Sequence, residues 1–356
     1  MRRRRPSRSR PAPAEPLAAD LEARFATAMA DMPWPGAVAV SGGADSLALM
    51  HLLARWAGKR AKPLVLSVDH GLRPTSGSEA KKVAGWAKAL GLRCEILTVK
   101  GKKPKADIEA WAREQRYRLM GARLAKHGIL ALYTGHHQND QAETFLLRLA
   151  RGSGLDGLGA MRGLAAYPLS GFENLSLVRP LLAVPRAELR TYLKSRKQDW
   201  LEDPMNGEPR FARSRIRALL PALEEAGLTA QRIADAALHL GRAREALDMA
   251  TAAVLARACR WQDNMLLLDA EALAAAPREI GLRALAGLLG SVGGQAYRPR
   301  FEALERLFDR LAGGSLGGGA TLHGCRIAPA PRRLQQFGPK TLVILAESSR
   351  GRDRGT

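Results

Sequence analysis

Between residues 37 and 195, short β-rich apolar runs alternate with stretches of helical periodicity, and that alternation leaves few folds open. Ala37–Val40 is a short apolar run ending in Ser-Gly-Gly; Leu47, Leu49, Met50, Leu52 and Leu53 then recur at helical spacing as far as Gly58. Pro63–Val68 reads as a second buried strand, Ser78–Leu90 as a helix closed by Gly91, and Arg93–Val99 as a third strand. Asp107 can cap a long helix running to His127, with Gly128 as its stop. Ile129–Thr134 is a fourth strand and Gln141–Leu149 a helix entered through a polar turn; Leu177–Leu182 is a fifth strand, followed by a helix over Pro185–Ser195. Strands separated by helices of this length predict an α/β fold, a parallel sheet with helices on both faces. Such a sheet binds ligands beyond the carboxyl ends of its strands, where strand order reverses. The loops after Val40, Val68 and Thr134 lie at those ends, and they carry the unusual sequences.

The texture changes after about residue 220. Thr229–Val254 is Ala-rich and helical, the segments around Leu266 and Phe301–Leu311 read as further helix or strand pieces, and the Gly-rich stretch Ala312–Ala320 reads as a loop. The expected organisation is a basic disordered arm at 1–15, a catalytic domain at 16–225, a smaller, mainly helical region at 226–348 and a frayed tail at 349–356. The chain carries a formal charge of +22, and Met1–Arg10 holds six arginines and no acid. Such an excess favours polyanionic partners, nucleic acid above all. Cys94, Cys259 and Cys325 are far apart with no C-x-x-C pair, which disfavours a disulfide scaffold, a zinc site or an iron–sulfur cluster. No apolar run approaches membrane-spanning length, and the Arg-rich start has no apolar signal core behind it. The simplest expectation is a cytoplasmic protein, its oligomeric state left open, a homodimer included.

The chemistry begins at Ser41-Gly42-Gly43-Ala44-Asp45-Ser46, set between a strand and a helix. A turn there points backbone N–H groups and the positive helix end into one concavity that suits phosphate oxygens. The glycines admit an anion close to the backbone. Ser41 and Ser46 can add hydrogen bonds, and Asp45 can hold magnesium on the phosphates. The plainer alternative is a glycine turn with a Ser or Asp helix cap.

The loop resembles the PP-loop of the ATP pyrophosphatases, which cleave ATP to AMP and pyrophosphate while adenylating a carbonyl oxygen. Later stretches resemble one branch, the tRNA(Ile)-lysidine synthetases: Val68-Asp69-His70-Gly71-Leu72-Arg73, Ala112-Arg113-Glu114-Gln115-Arg116-Tyr117 and Thr134-Gly135-His136-His137-Gln138-Asn139-Asp140-Gln141-Ala142-Glu143-Thr144. Asn139 stands where that family commonly has the first of two aspartates. Arg151-Gly152-Ser153-Gly154, Arg179-Pro180-Leu181-Leu182, Trp200-Leu201-Glu202-Asp203-Pro204 and Phe211-Ala212-Arg213-Ser214-Arg215-Ile216-Arg217 also resemble family blocks, in the right order. The likeness is good over roughly 35–225. It implies ATP and magnesium as cofactors, with L-lysine and an isoleucine tRNA bearing a CAU anticodon as partners. It implies nucleotide contacts from Ser41 to Ser46 and from Asp69 and His70. Lysine or tRNA contacts are implied for His136, His137, Asp140, Glu143, Arg113, Arg151, Arg213 and Arg217, and catalytic roles for Asp45, Asp140, Glu143 and Arg215.

The implied reaction sets requirements. Carbon-2 of cytosine is a poor electrophile until its oxygen becomes part of an AMP leaving group, and the lysine ε-amine must then attack uncharged. Asp140 and Glu143, three apart at a helix start, share a face. They can pair with the incoming ammonium groups, or simply complement the helix dipole. His136 or His137 can contact phosphate, position a carboxylate or pack as neutral imidazole. Arg213, Arg215 and Arg217 suit an adenylate phosphate or a tRNA backbone, or a solvated helix face. Another PP-loop tRNA modifier such as a thiolase is disfavoured by the cysteine spacing, and a silent RNA-binding protein by the intact loop and acids.

Overall fold

The computed structural model describes residues 14–104, 106–202, 212–263, 265–295 and 297–347. The tail expected at 349–356 lies outside them, as does the expected basic arm except for Ala14 and Glu15, which begin a helix. By contacts the chain divides into two compact units, Met1–Gly241 and Arg242–Thr356. The division falls inside one long helix, whereas the boundary read from the sequence lies near 225.

The first unit is built on a six-stranded sheet ordered β3-β2-β1-β4-β6-β5. Its strands are β1 (Ala37–Ala39), β2 (Leu64–Asp69), β3 (Cys94–Thr98), β4 (Ala131–Tyr133), β5 (Leu164–Ala166) and β6 (Ser176–Val178). Every pair is parallel except β5 with β6. Both faces are buried, so successive residues enter different cores. Val38, Val65, Tyr133 and Val178 join the cluster under α1 (Ala14–Ala28), α2 (Ala44–Ala57), α3 (Ser76–Ala89) and α7 (Arg186–Ser195). Ala37, Leu64, Leu66, Leu132 and Leu177 join the opposite cluster with Tyr117, Met120 and Leu124 of α4 (Ile108–His127). The expected α/β sheet with helices on both faces is thus what forms.

Details differ from the sequence reading. Asp107 stands before α4 but takes the left-handed conformation (φ 53°), and its side chain makes no capping bond. Gly128 does end that helix, left-handed at φ 63°. α5 (Gln138–Leu149) starts three residues earlier than expected, because His137 and Asp140 close a reciprocal capping box at its entry. The short α6 (Leu155–Leu158) and α8 (Ala212–Glu225) follow, and α9 (Ala230–Ala258) crosses from the first unit into the second.

The second unit supplies α10 (Ala270–Ala274), α11 (Arg278–Gly293) and α12 (Phe301–Ala312). It also holds a five-stranded antiparallel sheet ordered β7-β8-β11-β10-β9: β7 (Cys259–Gln262), β8 (Met265–Asp269), β9 (Ala320–Leu322), β10 (Cys325–Pro329) and β11 (Thr341–Ala346). Leu266 therefore lies in a strand and Phe301–Leu311 in a helix. Leu285, Leu289, Leu304, Leu307 and Phe308 pack against Leu268, Ile327 and Ile344 in this unit's main core. No helix among the described residues is long and apolar enough to cross a membrane.

Candidate active site

β1 and β4 are neighbours, and from β1 the chain first fills one side of the sheet, through β2 and β3, before α4 carries it to β4 on the other side. Strand order reverses between them, which opens a crevice at their carboxyl ends. The loop after β1 and the loop after β4 meet there. They meet closely: a Cβ built on Gly135 would lie 2.8 Å from the Asp45 carbonyl oxygen and 3.0 Å from the Ser46 nitrogen.

The Ser41–Ser46 turn is stapled by its own hydroxyls. Ser46 Oγ donates to the Gly43 carbonyl (2.9 Å), accepts from the Ser41 N–H (3.2 Å) and lies 3.3 Å from Ser41 Oγ. Gly42 has φ 92°, and a Cβ there would come within 2.5 Å of Leu201 Cδ1, so glycine is required twice over. Gly43, by contrast, has room for a Cβ, with Ser41 Oγ the nearest atom at 3.7 Å.

Asp45 sits where the two loops meet. His137 Nε2 is 3.3 Å from its Oδ2, and Arg186 Nε is 3.7 Å from its Oδ1. Burial opposes the carboxylate charge, but His137, Arg186 and Arg190 outweigh it and hold the group below its ordinary value. Oδ1 is buried and accepts no hydrogen bond. His137 accepts from the Asp140 N–H on Nδ1 (3.4 Å), which leaves its Nε2–H for Asp45. Of the roles open to this histidine, positioning a carboxylate is the one the geometry supports.

Asp140 and Glu143 are buried side by side in the first turns of α5, at 8% and 2% exposure. Asp140 Oδ2 accepts from the His137 N–H (3.0 Å). Glu143 holds Arg217 in a fork, Nε to Oε1 at 2.6 Å and a terminal nitrogen to Oε2 at 3.1 Å. Burial works against the Arg217 charge, and Glu143, Asp140 and Asp45 outweigh it.

A profile of the PP-loop domain matches residues 20–223. The chain is 36% identical over 318 residues to a tRNA(Ile)-lysidine synthase of Wolbachia pipientis wMel, covering 88% of this chain and 71% of that protein. It is 41% identical to the tRNA(Ile)-lysidine synthase of Methylobacterium nodulans, covering 83% of this chain and 90% of that one. This chain belongs to the tRNA(Ile)-lysidine synthase family. The U34-tRNA thiolase NcsA from Methanococcus maripaludis shares the fold, at TM-score 0.53 and 16% identity over 65% of this chain and 80% of that one.

As a member of this synthase family, the chain gathers most of the residues read from its motifs. His136 lies beside them, with Nδ1 2.9 Å from Thr134 Oγ1. Burial pushes it down to about 4; Asp140 acts the other way, and the charges of Arg179, Arg113 and Arg213 add to the burial. It is therefore a neutral imidazole at pH 7. Arg213 and Arg217, four apart, share a face of α8. Arg215 sits about 160° round that helix from Arg217, so of these two it is Arg217 that meets Glu143. Arg151, past the end of α5, is about 16 Å along the helix from Asp140 and exposed, away from the cluster. Asp69 spends its charge on its own turn: a hydrogen bond from Ser76 lowers it most, and the Gly71 N–H adds to this. His70 keeps both ring nitrogens buried without partners, and burial aided by Arg116 pushes it down to about 4.

Arg186 escaped the sequence reading because it looks like any first-turn arginine. Asn139 is what places it: its Oδ1 accepts from the Arg186 N–H at 3.0 Å and fixes the start of α7 beside Asp45. An amide at 139 makes that bond without adding a negative charge next to the guanidinium. The Trp200 block also gains a role, since the Leu201 N–H donates to the Gly42 carbonyl at 2.9 Å. Asp203, Pro204 and Phe211 lie outside the described residues.

Two neutral histidines at this site make stability pH-dependent. Their folded values near 4 lie below the ordinary 6.5, so between these values the unfolded chain binds more protons. Their contribution is complete above pH 6.5 and is lost as pH falls toward 4. Urea melts should show stability declining through that window, and His136→Gln should flatten the decline. An unchanged slope in the variant would remove His136 as a source.

Proposed function

We propose that this chain adenylates the carbon-2 oxygen of the wobble cytidine in the CAU anticodon of an isoleucine tRNA, and that L-lysine then displaces AMP to give lysidine, shifting codon reading from AUG to AUA. The observation that carries this reading is the ionised Asp45, with one orphaned buried oxygen, at the mouth of a hydroxyl-stapled phosphate loop. In the first step the cytosine oxygen attacks the α-phosphorus of ATP and pyrophosphate leaves. In the second the ε-nitrogen of lysine bonds to carbon-2, AMP departs with the oxygen, and the nitrogen loses its protons.

The loop N–H groups and Arg186 take the phosphates. Among the described residues no three acidic, His or Cys side chains are grouped to cage a metal. A single carboxylate fits a magnesium ion that keeps phosphate oxygens and water as its other ligands. Asp45 would hold that ion, which neutralises charge on the leaving pyrophosphate. Both Glu143 oxygens are engaged by Arg217, whereas Asp140 Oδ1 makes no hydrogen bond among the described residues. Asp140 therefore pairs with the lysine ammonium, and Glu143 presents Arg217 to the adenylate phosphate. His70, with two free ring nitrogens, faces the nucleoside. Such an enzyme works where tRNA and ATP are, in the bacterial cytoplasm.

The decisive measurement is release of AMP and pyrophosphate by the purified protein. Pyrophosphate release should require an isoleucine tRNA with a CAU anticodon, and AMP release should require lysine as well; AMP released without lysine, or either product released without that tRNA, would overturn the assignment.

The second unit is assigned to tRNA binding. Tyr297 and Phe301, at 85% and 62% exposure, bracket Arg298 and Arg300, a pattern suited to stacking bases beside a phosphate backbone. Base stacking on an aromatic contributes about 1–3 kcal/mol, so Tyr297→Ala should raise the KM for tRNA by about tenfold and leave the KM for ATP unchanged. Equal tRNA affinity in the variant would remove this segment from the interface.

A further inference from the structure

One turn beyond Arg186, on the same face of α7, stands a second arginine that no motif announces. Arg190 is held from two sides. A terminal nitrogen donates to both oxygens of Glu202, at 3.1 and 3.4 Å, and its guanidinium lies over the Trp200 ring, 5.7 Å from the centroid. The Trp200 indole N–H donates to the same carboxylate at 2.8 Å. Between those two residues, the Leu201 N–H is bonded to the Gly42 carbonyl, so the segment that orients Arg190 is also fastened to the phosphate loop.

As a stabilising device this arrangement makes little sense. The Glu202 side chain is 65% exposed, and ion pairs so open to water contribute little. Arg190 Nε is meanwhile buried with no acceptor, which costs stability. The charge of Arg190 also reaches Asp45 and helps to keep it ionised. An oriented guanidinium with a spare donor beside an anion-binding loop is what recognition of a phosphate chain requires.

We propose that Arg190 binds the β- and γ-phosphates of the nucleotide, with Trp200 and Glu202 as its positioning residues. This rests on the ATP-dependent reading above. Neither lysine nor tRNA is needed to test it.

The full-length protein is titrated by calorimetry with magnesium–ATP, with magnesium pyrophosphate and with AMP. Arg190→Gln should weaken ATP and pyrophosphate by about tenfold each, the loss of a charge-assisted contact, and leave AMP unchanged. Arg190→Lys should fall between Arg190→Gln and the native protein, because a point charge keeps attraction without the fork. Glu202→Gln, which loosens the guanidinium without removing it, should cost about threefold for the same two ligands. Melting temperatures equal to native would show that each variant folds. ATP and pyrophosphate affinities within about twofold of native in Arg190→Gln would overturn the proposal, as would an equal loss for AMP or a native protein that binds neither ligand. Should AMP release fail with lysine and tRNA while Arg190→Gln still loses pyrophosphate selectively, the reaction assignment falls and Arg190 stands.

Discussion

Asp45→Asn is expected to slow AMP formation by about 10²–10³-fold, the size seen when one group aimed at developing charge is removed. The amide keeps the shape of the side chain and an acceptor for the His137 Nε2–H. What disappears is the negative charge 3.7 Å from Arg186, and with it an anionic ligand for a phosphate-borne cation. Binding of tRNA should change little, because the exposed cations are untouched. Single-turnover kinetics with labelled ATP would measure the step, and near-native AMP yield from the variant would exclude Asp45 from phosphate chemistry.

Glu143→Ala should damage stability as well as activity. Glu143 has a side-chain exposure of 3% and Arg217 of 27%, so removing the acid strands a guanidinium in a largely dry place. Breaking a buried pair from one side typically costs about 3–5 kcal/mol. Because Arg217 retains some solvent, the lower end is expected, roughly 3 kcal/mol, or a fall in Tm on the order of 6–12 °C for a unit of this size. The double replacement Glu143→Leu with Arg217→Met restores apolar contact and should recover most of that stability. It should recover no synthesis, because no guanidinium then faces the adenylate. A double variant that regains both stability and product would show the pair to be purely structural.

The alternation of strands and helices and the site loops were legible from the sequence because each depends on neighbours within a few residues. A phosphate-binding turn needs only its glycines, hydroxyls and flanking strand and helix, and all are contiguous from Ala37 to Ala57. The partners that decide each role were not legible. Glu143 meets Arg217 across 74 positions, and Arg190 meets Glu202 across 12 with a helix end between them. Such pairs are set by how helices rotate when their apolar faces dock, so which arginine of α8 meets Glu143 could not be read until that helix had a face. α1 was missed because no motif marks residues 14–28, although Leu21 and Phe25 are buried there. The antiparallel sheet of the second unit was hidden for a different reason. Its strands are short, and Met265–Asp269 is an apolar run with no alternation to separate strand from buried helix.

The placement of β1 between β2 and β4 has a bearing on synthesis at the ribosome. When β1 and β2 have emerged, one edge of β1 still has open N–H and C=O groups, and its partner β4 begins about 60 residues after the end of β2. At about 5–20 residues per second that interval lasts roughly 3–12 s. For that time an apolar strand destined for the centre of the sheet is an unpaired edge, open to pairing with other chains. The nucleotide crevice does not yet exist, since its second wall arrives with the same strand. ATP therefore cannot stabilise the nascent chain early.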